Sequence, residues 1–217
     1  MFYRVDPKLA RGVLNDPRVE PFVLFGKAVV LVASFEYRDT SIGPYGEFGI
    51  GVVCKRVGTS PSVLSYAFDM IGAKDTGIYV VNLPVTDEGA RVAGIDLWGY
   101  PKYVTEIDTD FDDTGVRVGL RGELEIECTQ PRNRGFRAKG MPFITLTTDL
   151  SGQLVRTVIT FDSHVRWGGA GRVNLRLTGE GPSAQTARAL GLHQQAPSFV
   201  FRTDRLRAVL PEGERQA

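Results

Sequence analysis

Residues 144–161, I-T-L-T-T-D-L-S-G-Q-L-V-R-T-V-I-T-F, place two β-branched runs, Ile144–Thr147 and Leu154–Phe161, on either side of D-L-S-G-Q. Val, Ile and Thr fit a pleated strand, and Asp, Ser and Gly between them supply a tight turn, so this stretch reads as a β-hairpin. The pattern recurs outward in both directions. Val116–Arg121 (V-R-V-G-L-R) alternates with period two, as a half-solvated strand does. Val104–Thr109 and Val116–Thr129 read as two strands joined by the acidic turn D-F-D-D-T-G. Tyr79–Val85 is a short apolar strand, Arg172–Leu177 alternates again, and S-F-V-F-R-T-D-R-L-R-A-V-L-P at 198–211 is a last strand with an apolar tail. Phe22–Val32 (F-V-L-F-G-K-A-V-V-L-V) is apolar without alternation and predicts one strand covered on both faces.

Helical signals are few and short. Leu9–Leu14 predicts a brief helix ending before Asp16-Pro17, because a residue preceding proline avoids the α region. Thr86–Gly94 predicts a second of about two turns, with Thr86 as N-cap, Asp87 and Glu88 in the first turn and Gly94 as the stop. Ser183–Gly191 predicts a third, capped by Ser183 and ended by Gly191. The glycines at 43, 46, 49 and 51 lack a G-K-[ST] and read as loop and bulge positions feeding a strand near Ile50–Arg56. With 25 glycines and 12 prolines in 217 residues, the composition suits a turn-rich β protein, and the length suits one domain over residues 1–217.

Charge and cysteine usage exclude several functions. Lys plus Arg is 26 and Asp plus Glu is 25, so no global field attracts nucleic acid or an anionic membrane. The basic stretch R-N-R-G-F-R-A-K at 132–139 has one aromatic residue and reads as an exposed loop. Cys54 and Cys128 stand 74 residues apart without a C-x-x-C, which predicts two reduced, buried thiols and no metal site. His164 and His193 lie in no nucleophile-elbow context, and no P-loop or dinucleotide fingerprint occurs. No apolar span and no basic-then-apolar leader is present, so the expected address is cytoplasmic.

The distinctive residue is Lys102, one of six lysines against twenty arginines, set in D-L-W-G-Y-P-K-Y-V. A lysine after proline is often a turn residue with its head in water. Here Leu97, Trp98, Tyr100, Tyr103 and Val104 offer an apolar surround, which disfavours the ammonium and favours the neutral amine that attacks a carbonyl carbon. Pro101 fixes φ beside it.

The segment G-I-D-L-W-G-Y-P-K-Y, Gly94–Tyr103, resembles the G-R-E-x-x-G-[FY]-P-K-K signature of the acetoacetate decarboxylase superfamily, whose first lysine forms a Schiff base with a β-keto acid. Lys102 falls on that lysine. Asp39–Gly49, D-T-S-I-G-P-Y-G-E-F-G, is similar to the family loop bearing an active-site glutamate, which places Glu47 on it. A weaker likeness runs through W-G-G-A-G-R-V-N-L, the Ser183 segment and the last strand. The resemblance implies a short, divergent member with an α+β fold: a curved antiparallel barrel-like sheet, short helices outside, and Lys102 pointing inward. It implies Lys102 and Glu47 as catalytic residues, with Tyr45, Trp98, Tyr100 and Tyr103 binding substrate, and neither cofactor nor metal. The partners it implies are a small carbonyl compound and further copies of the chain, without nucleic acid or membrane.

Three departures qualify the chemistry. Tyr103 stands where the family has a second lysine, a position the family is itself the standard example of for lysine activation by a cationic neighbour. The sequence begins about where a family Y-R-T-D strand begins, with Tyr3-Arg4-Val5-Asp6, so no counterpart of the family's upstream arginine is expected. A second family glutamate aligns near Leu31 or Val32. The distance from Glu47 to Lys102 also exceeds the family's, with the excess in 58–75. An iminium on Lys102 is an electron sink for decarboxylation, aldol condensation or dehydration, with Glu47 placing substrate or moving protons. Decarboxylation of a β-keto acid is the leading expectation, aldolase-dehydratase chemistry through the same lysine the second, and a non-catalytic small-molecule binder the third.

Overall fold

The computed structural model describes residues 1–59, 75–112, 115–129, 135–169 and 172–216. In chain order these form β1 (Phe2–Val5), α1 (Pro7–Gly12), β2 (Val19–Pro21), β3 (Val23–Leu24), β4 (Lys27–Tyr37), β5 (Tyr45–Arg56), β6 (Thr76–Asn82) and α2 (Glu88–Trp98). There follow β7 (Ile107–Phe111), β8 (Gly115–Leu120), β9 (Leu124–Thr129), β10 (Gly135–Thr148), β11 (Leu154–Gly169), β12 (Arg172–Leu177), α3 (Pro182–Ala189), β13 (Phe199–Val209) and β14 (Glu214–Gln216). Much of the 58–75 excess and the start of the 132–139 stretch lie outside the described residues; 135–139 belong to β10.

The larger sheet runs β5-β6-β10-β11-β13-β1-β4, and β4 pairs back onto β5, so the path closes into a ring. Closure removes most exposed strand edges. Every pairing round the ring is antiparallel except β6–β10, where Thr145 and Leu146 run parallel to Ile78 and Tyr79. The second sheet is four-stranded, in the order β12-β9-β8-β7, and antiparallel throughout. Its Val118, Leu120, Leu124 and Ile126 join Val30, Val32, Phe48, Ile50 and Val52 of β4 and β5 in one buried core. The architecture is the curved, strand-rich α+β fold that the sequence predicts, mixed at one pairing.

Several local expectations are corrected. Phe22–Val32 is no continuous strand: β3 and β4 pair through Leu24↔Lys27, and Phe25 and Gly26 between them take positive φ of 50° and 73°, a two-residue turn whose twist suits a hairpin. Nor is β4 covered on both faces, since its burial alternates. The Val116–Thr129 run divides at Arg121-Gly122-Glu123, where Gly122 takes φ 70°. Strand β5 begins at Tyr45, so Gly46, Gly49 and Gly51 are strand residues. A Cβ on Gly51 would lie 2.5 Å from Ile78 Cγ2, so this glycine permits a close approach of β6. Gly181 rather than Ser183 caps α3. Cys54 and Cys128 are free and buried, as expected. No described helix is long and apolar enough to cross a membrane.

A buried carboxylate ties the N-terminal segment to the β10–β11 hairpin. Asp16 is 1% exposed and accepts from Arg18 Nε at 2.9 Å, Arg18 Nη2 at 2.6 Å and Thr148 Oγ1 at 2.6 Å. Arg18 Nη2 also donates to Gly152 O in the hairpin turn at 2.8 Å. These bonds hold the Asp16 carboxyl at a pKa of about 2, below its ordinary 3.8. A depressed carboxylate stabilises the fold above its unfolded pKa and loses that contribution as pH falls towards the folded one. With a discount for solvent at the partly exposed Arg18, Asp16→Asn should cost about 1 to 2 kcal/mol at pH 7. In urea unfolding from pH 7 to pH 2, the gap between wild type and variant should hold down to about pH 4 and then close. A gap independent of pH would contradict this account of Asp16.

Candidate active site

Glu47 and Lys102 are 55 residues apart and meet across one short extended segment. Val85 bridges Glu47 on one side, antiparallel, and Val104 on the other, parallel. Phe48 N–H donates to Pro84 O and Thr86 N–H to Gly46 O, while Val85 N–H donates to Tyr103 O and Thr105 N–H to Val85 O. The 83–86 segment is thus a spacer one strand wide between the two candidate residues.

The approach to Lys102 is set by α2. Asp87, not Thr86, caps this helix, its side chain accepting from Ala90 N–H at 2.8 Å. The helix does not stop at Gly94; it continues to Trp98 and ends at Gly99, whose φ of 64° reverses the chain. Gly94 instead leaves a groove. A Cβ there would fall 2.4 Å from Lys102 Cδ and 2.6 Å from Cε, so the lysine stem lies directly on the helix backbone. Lys102 N–H donates to Tyr100 O at 2.7 Å, a three-residue turn about Pro101 that matches the fixed φ of proline.

The amine is buried beside a carboxylate. Lys102 Nζ lies 2.7 Å from Glu47 Oε2, and the two side chains are 5% and 8% exposed. Tyr37 OH donates to Glu47 Oε1 at 3.2 Å. Nζ stands 5.5 Å from the Tyr45 ring centroid and 5.9 Å from that of Tyr100, within range of cation–π attraction. Tyr100 OH pairs with Thr145 Oγ1 at 2.8 Å. Burial, with the Glu47 charge adding to it, drives the Tyr37 hydroxyl well above its ordinary range, and burial drives Tyr45 upward as well; Tyr100 is pushed up to about 12. All three therefore remain proton donors at neutral pH. Among the described residues no cluster of His, Cys, Asp or Glu could hold a metal.

Of the residues the sequence singles out, Lys102, Glu47, Tyr45 and Tyr100 are brought together. Trp98 stands behind them: its ring packs on Tyr100 at 5.9 Å and its indole N–H donates to Pro211 O at 2.6 Å. Tyr103 lies elsewhere. Successive residues of an extended chain point to opposite sides, and its hydroxyl meets Glu123 Oε1 and Oε2 at 2.9 Å each and Ser183 Oγ at 2.7 Å. Glu123 is 4% exposed and also accepts from Ser183 N–H at 2.7 Å, so this cluster fastens the start of α3. Tyr37 escaped the sequence reading; its position ten residues before Glu47 across a hairpin is the signal that could have found it. The groove lined by Thr86, Val104, Ile107 and Arg121 lies apart from the Lys102 pair.

Two substitutions test this geometry. Alanine in mid-helix ordinarily gains up to about 1 kcal/mol over glycine. At position 94 the collision with the lysine stem should reverse the sign, so Gly94→Ala is expected to lower the melting temperature and weaken carbonyl labelling of Lys102. Tyr103→Phe leaves the Glu123 carboxylate short of a donor and should cost about 1 to 3 kcal/mol of stability, while labelling of Lys102 persists. Thermal melts and borohydride labelling of both variants check this; a stabilised Gly94→Ala protein with full labelling would contradict it.

Comparison with known proteins identifies the family and the fold. No curated protein matches the sequence. The chain is similar in fold to acetoacetate decarboxylase from Legionella pneumophila (17% identity, TM-score 0.71), covering 100% of this chain and 82% of that one. It is similar to the enduracididine biosynthesis enzyme MppR (17% identity, TM-score 0.60), covering 99% and 83%. It is also similar to an acetoacetate decarboxylase-like enzyme from Sphingomonas wittichii RW1 (14% identity, TM-score 0.57), covering 99% and 88%. The acetoacetate decarboxylase (ADC) family profile matches residues 1–130, more than half of the sequence, and the chain belongs to that family of enzymes.

Proposed function

We propose that this enzyme is a lyase that decarboxylates a β-keto acid or related carbonyl compound through an iminium on Lys102. The observation that carries the reading is the 2.7 Å contact between Lys102 Nζ and Glu47 Oε2, with both side chains buried. A lysine must shed a proton before it can attack a carbonyl, and Glu47 is within reach to take it. The amine adds to the ketone carbon, and loss of water gives the iminium. The bond from the α-carbon to the carboxylate then breaks, its electron pair moves into the iminium, and CO2 leaves an enamine. A proton returns to the α-carbon, and water hydrolyses the iminium to free the ketone and Lys102. Tyr37 holds one Glu47 oxygen by donating to Oε1, leaving Oε2 for proton transfer. Tyr45 and Tyr100 flank the amine and would flank the bound carbonyl carbon.

A second reading, aldolase-dehydratase chemistry, has the Lys102 iminium lose a proton from the neighbouring carbon to give an enamine, which attacks an aldehyde, and the resulting hydroxyl then leaves as water. It is favoured by the likeness to MppR, a structure of which holds the condensation product of pyruvate and imidazole 4-carboxaldehyde. Both readings need Lys102 as a nucleophile; a binding protein would need it only as a charge. Self-association, implied by the family resemblance, belongs to the same proposal.

Borohydride reduction in the presence of a ketone should leave a mass increment on the peptide carrying Lys102. Lys102→Arg should abolish it, because guanidinium stays protonated and forms no imine. Glu47→Gln should slow turnover of an accepted β-keto acid by about 10² to 10⁴. An adduct that persists in Lys102→Arg, or its absence from wild type across many ketones, would overturn the covalent reading.

A further inference from the structure

The face of the ring that carries Glu47 extends well beyond the lysine. Directly opposed residues share a face of a sheet, and alternate residues of a strand return to it. The pairings Phe35↔Glu47, Phe2↔Leu31 and Phe2↔Phe199 therefore put Glu47, Phe35, Leu31, Phe2 and Phe199 on one face, with Phe201 two residues further along β13. The Phe2 and Phe201 rings meet edge to face at 5.4 Å.

The two faces of this sheet are differently covered. On the opposite face, Val30, Val32, Phe48, Ile50 and Val52 are at most 1% exposed. On the Glu47 face, Phe2, Leu31 and Phe35 are only half-buried, and Phe199 and Phe201 are 51% and 43% exposed. One face is packed against protein throughout, and the other is buried at Glu47 and opens to solvent towards Phe199 and Phe201. Between the Glu47 level of β4, at Phe35, and Leu31 the stripe runs four residues, roughly 13 Å at about 3.3 Å each. Apart from Glu47 the residues that define it are uncharged, with the exposed Arg4 on the same face two residues beyond Phe2, so the group laid along the phenylalanines is uncharged.

We propose that this stripe binds the tail of the substrate: the compound that reacts at Lys102 carries an aromatic group or a medium-length alkyl chain on its carbonyl carbon, laid along Phe35 and Leu31 towards Phe199 and Phe201. The reacting end of this inference rests on the Schiff-base reading. The tail end rests on the stripe alone. Each methylene buried there should tighten binding roughly three- to fourfold.

The test compares borohydride trapping of acetone, hexan-2-one and nonan-2-one with equilibrium binding of nonan-2-ol, which forms no imine. The concentration for half-trapping should fall with chain length by roughly three- to fourfold per methylene. Binding of the alcohol should weaken roughly tenfold or more in Phe35→Ser and, as a second variant at a more exposed position, in Phe201→Ser. A flat ketone series with alcohol binding insensitive to both substitutions would overturn the inference and leave Lys102 chemistry standing. Alcohol binding sensitive to both, with no ketone trapped, would overturn the Schiff-base reading and support the stripe as a binding site. Loss of self-association in Phe201→Ser with alcohol binding unaltered would assign the exposed phenylalanines to a contact between copies and also overturn it.

Discussion

A carboxylate and an amine that have both lost their water must find each other, and the architecture around Lys102 and Glu47 is arranged by that requirement. Removing one partner of such a pair leaves the other buried and unpaired at a cost of about 3 to 5 kcal/mol, so the framework has to hold both in register. It does so by backbone. Glu47 is fixed in β5, Lys102 follows the turn about Pro101, and the Val85 segment is bonded to both sides. The lysine stem lies on Gly94, where any other side chain would occupy its volume. A pair held this way at 2.7 Å is close enough for the proton transfer that the proposed amine chemistry needs, without a change in net charge.

The residue after the lysine solves a second problem of the same kind. Glu123 is as deeply buried as Glu47, and it faces Tyr103, not Lys102, because consecutive residues of the extended chain diverge. One strand segment thus serves two buried carboxylates, with an amine for one and a neutral phenol for the other. The phenol also bonds Ser183 at the start of α3, so the backbone leaving the site is anchored to the second sheet and its covering helix. This gives Tyr103 a structural role in a position where the family's lysine is usually discussed for its charge.

The sequence made the strands and the candidate lysine legible because both depend on local pattern. The hairpin flanking D-L-S-G-Q and the alternation of Val116–Leu120 need only neighbouring residues to be read. What escaped reading depends on partners distant in sequence. Gly94 looks like a helix stop, and its reason for being glycine is a lysine stem arriving from the next turn of chain. Phe22–Val32 looks like one buried strand because the hairpin turn inside it uses Phe25 at positive φ, a choice that local propensity argues against. Tyr103 looks like part of the apolar surround because proximity in sequence cannot say which side of an extended segment faces the site. Tyr37 was missed for the converse reason, since only the β4–β5 pairing brings it to Glu47.

The central claim is that Lys102 acts as a covalent nucleophile. An imine forms only by expelling the carbonyl oxygen as water, and its hydrolysis installs a new oxygen from solvent. In water enriched with oxygen-18, a bound ketone should therefore take up the label with wild-type protein, faster than in buffer alone and saturably with protein, and Lys102→Arg should return the rate to that of buffer. Label uptake that survives in Lys102→Arg, or a wild-type protein that binds ketones without exchanging their oxygen, would contradict the account.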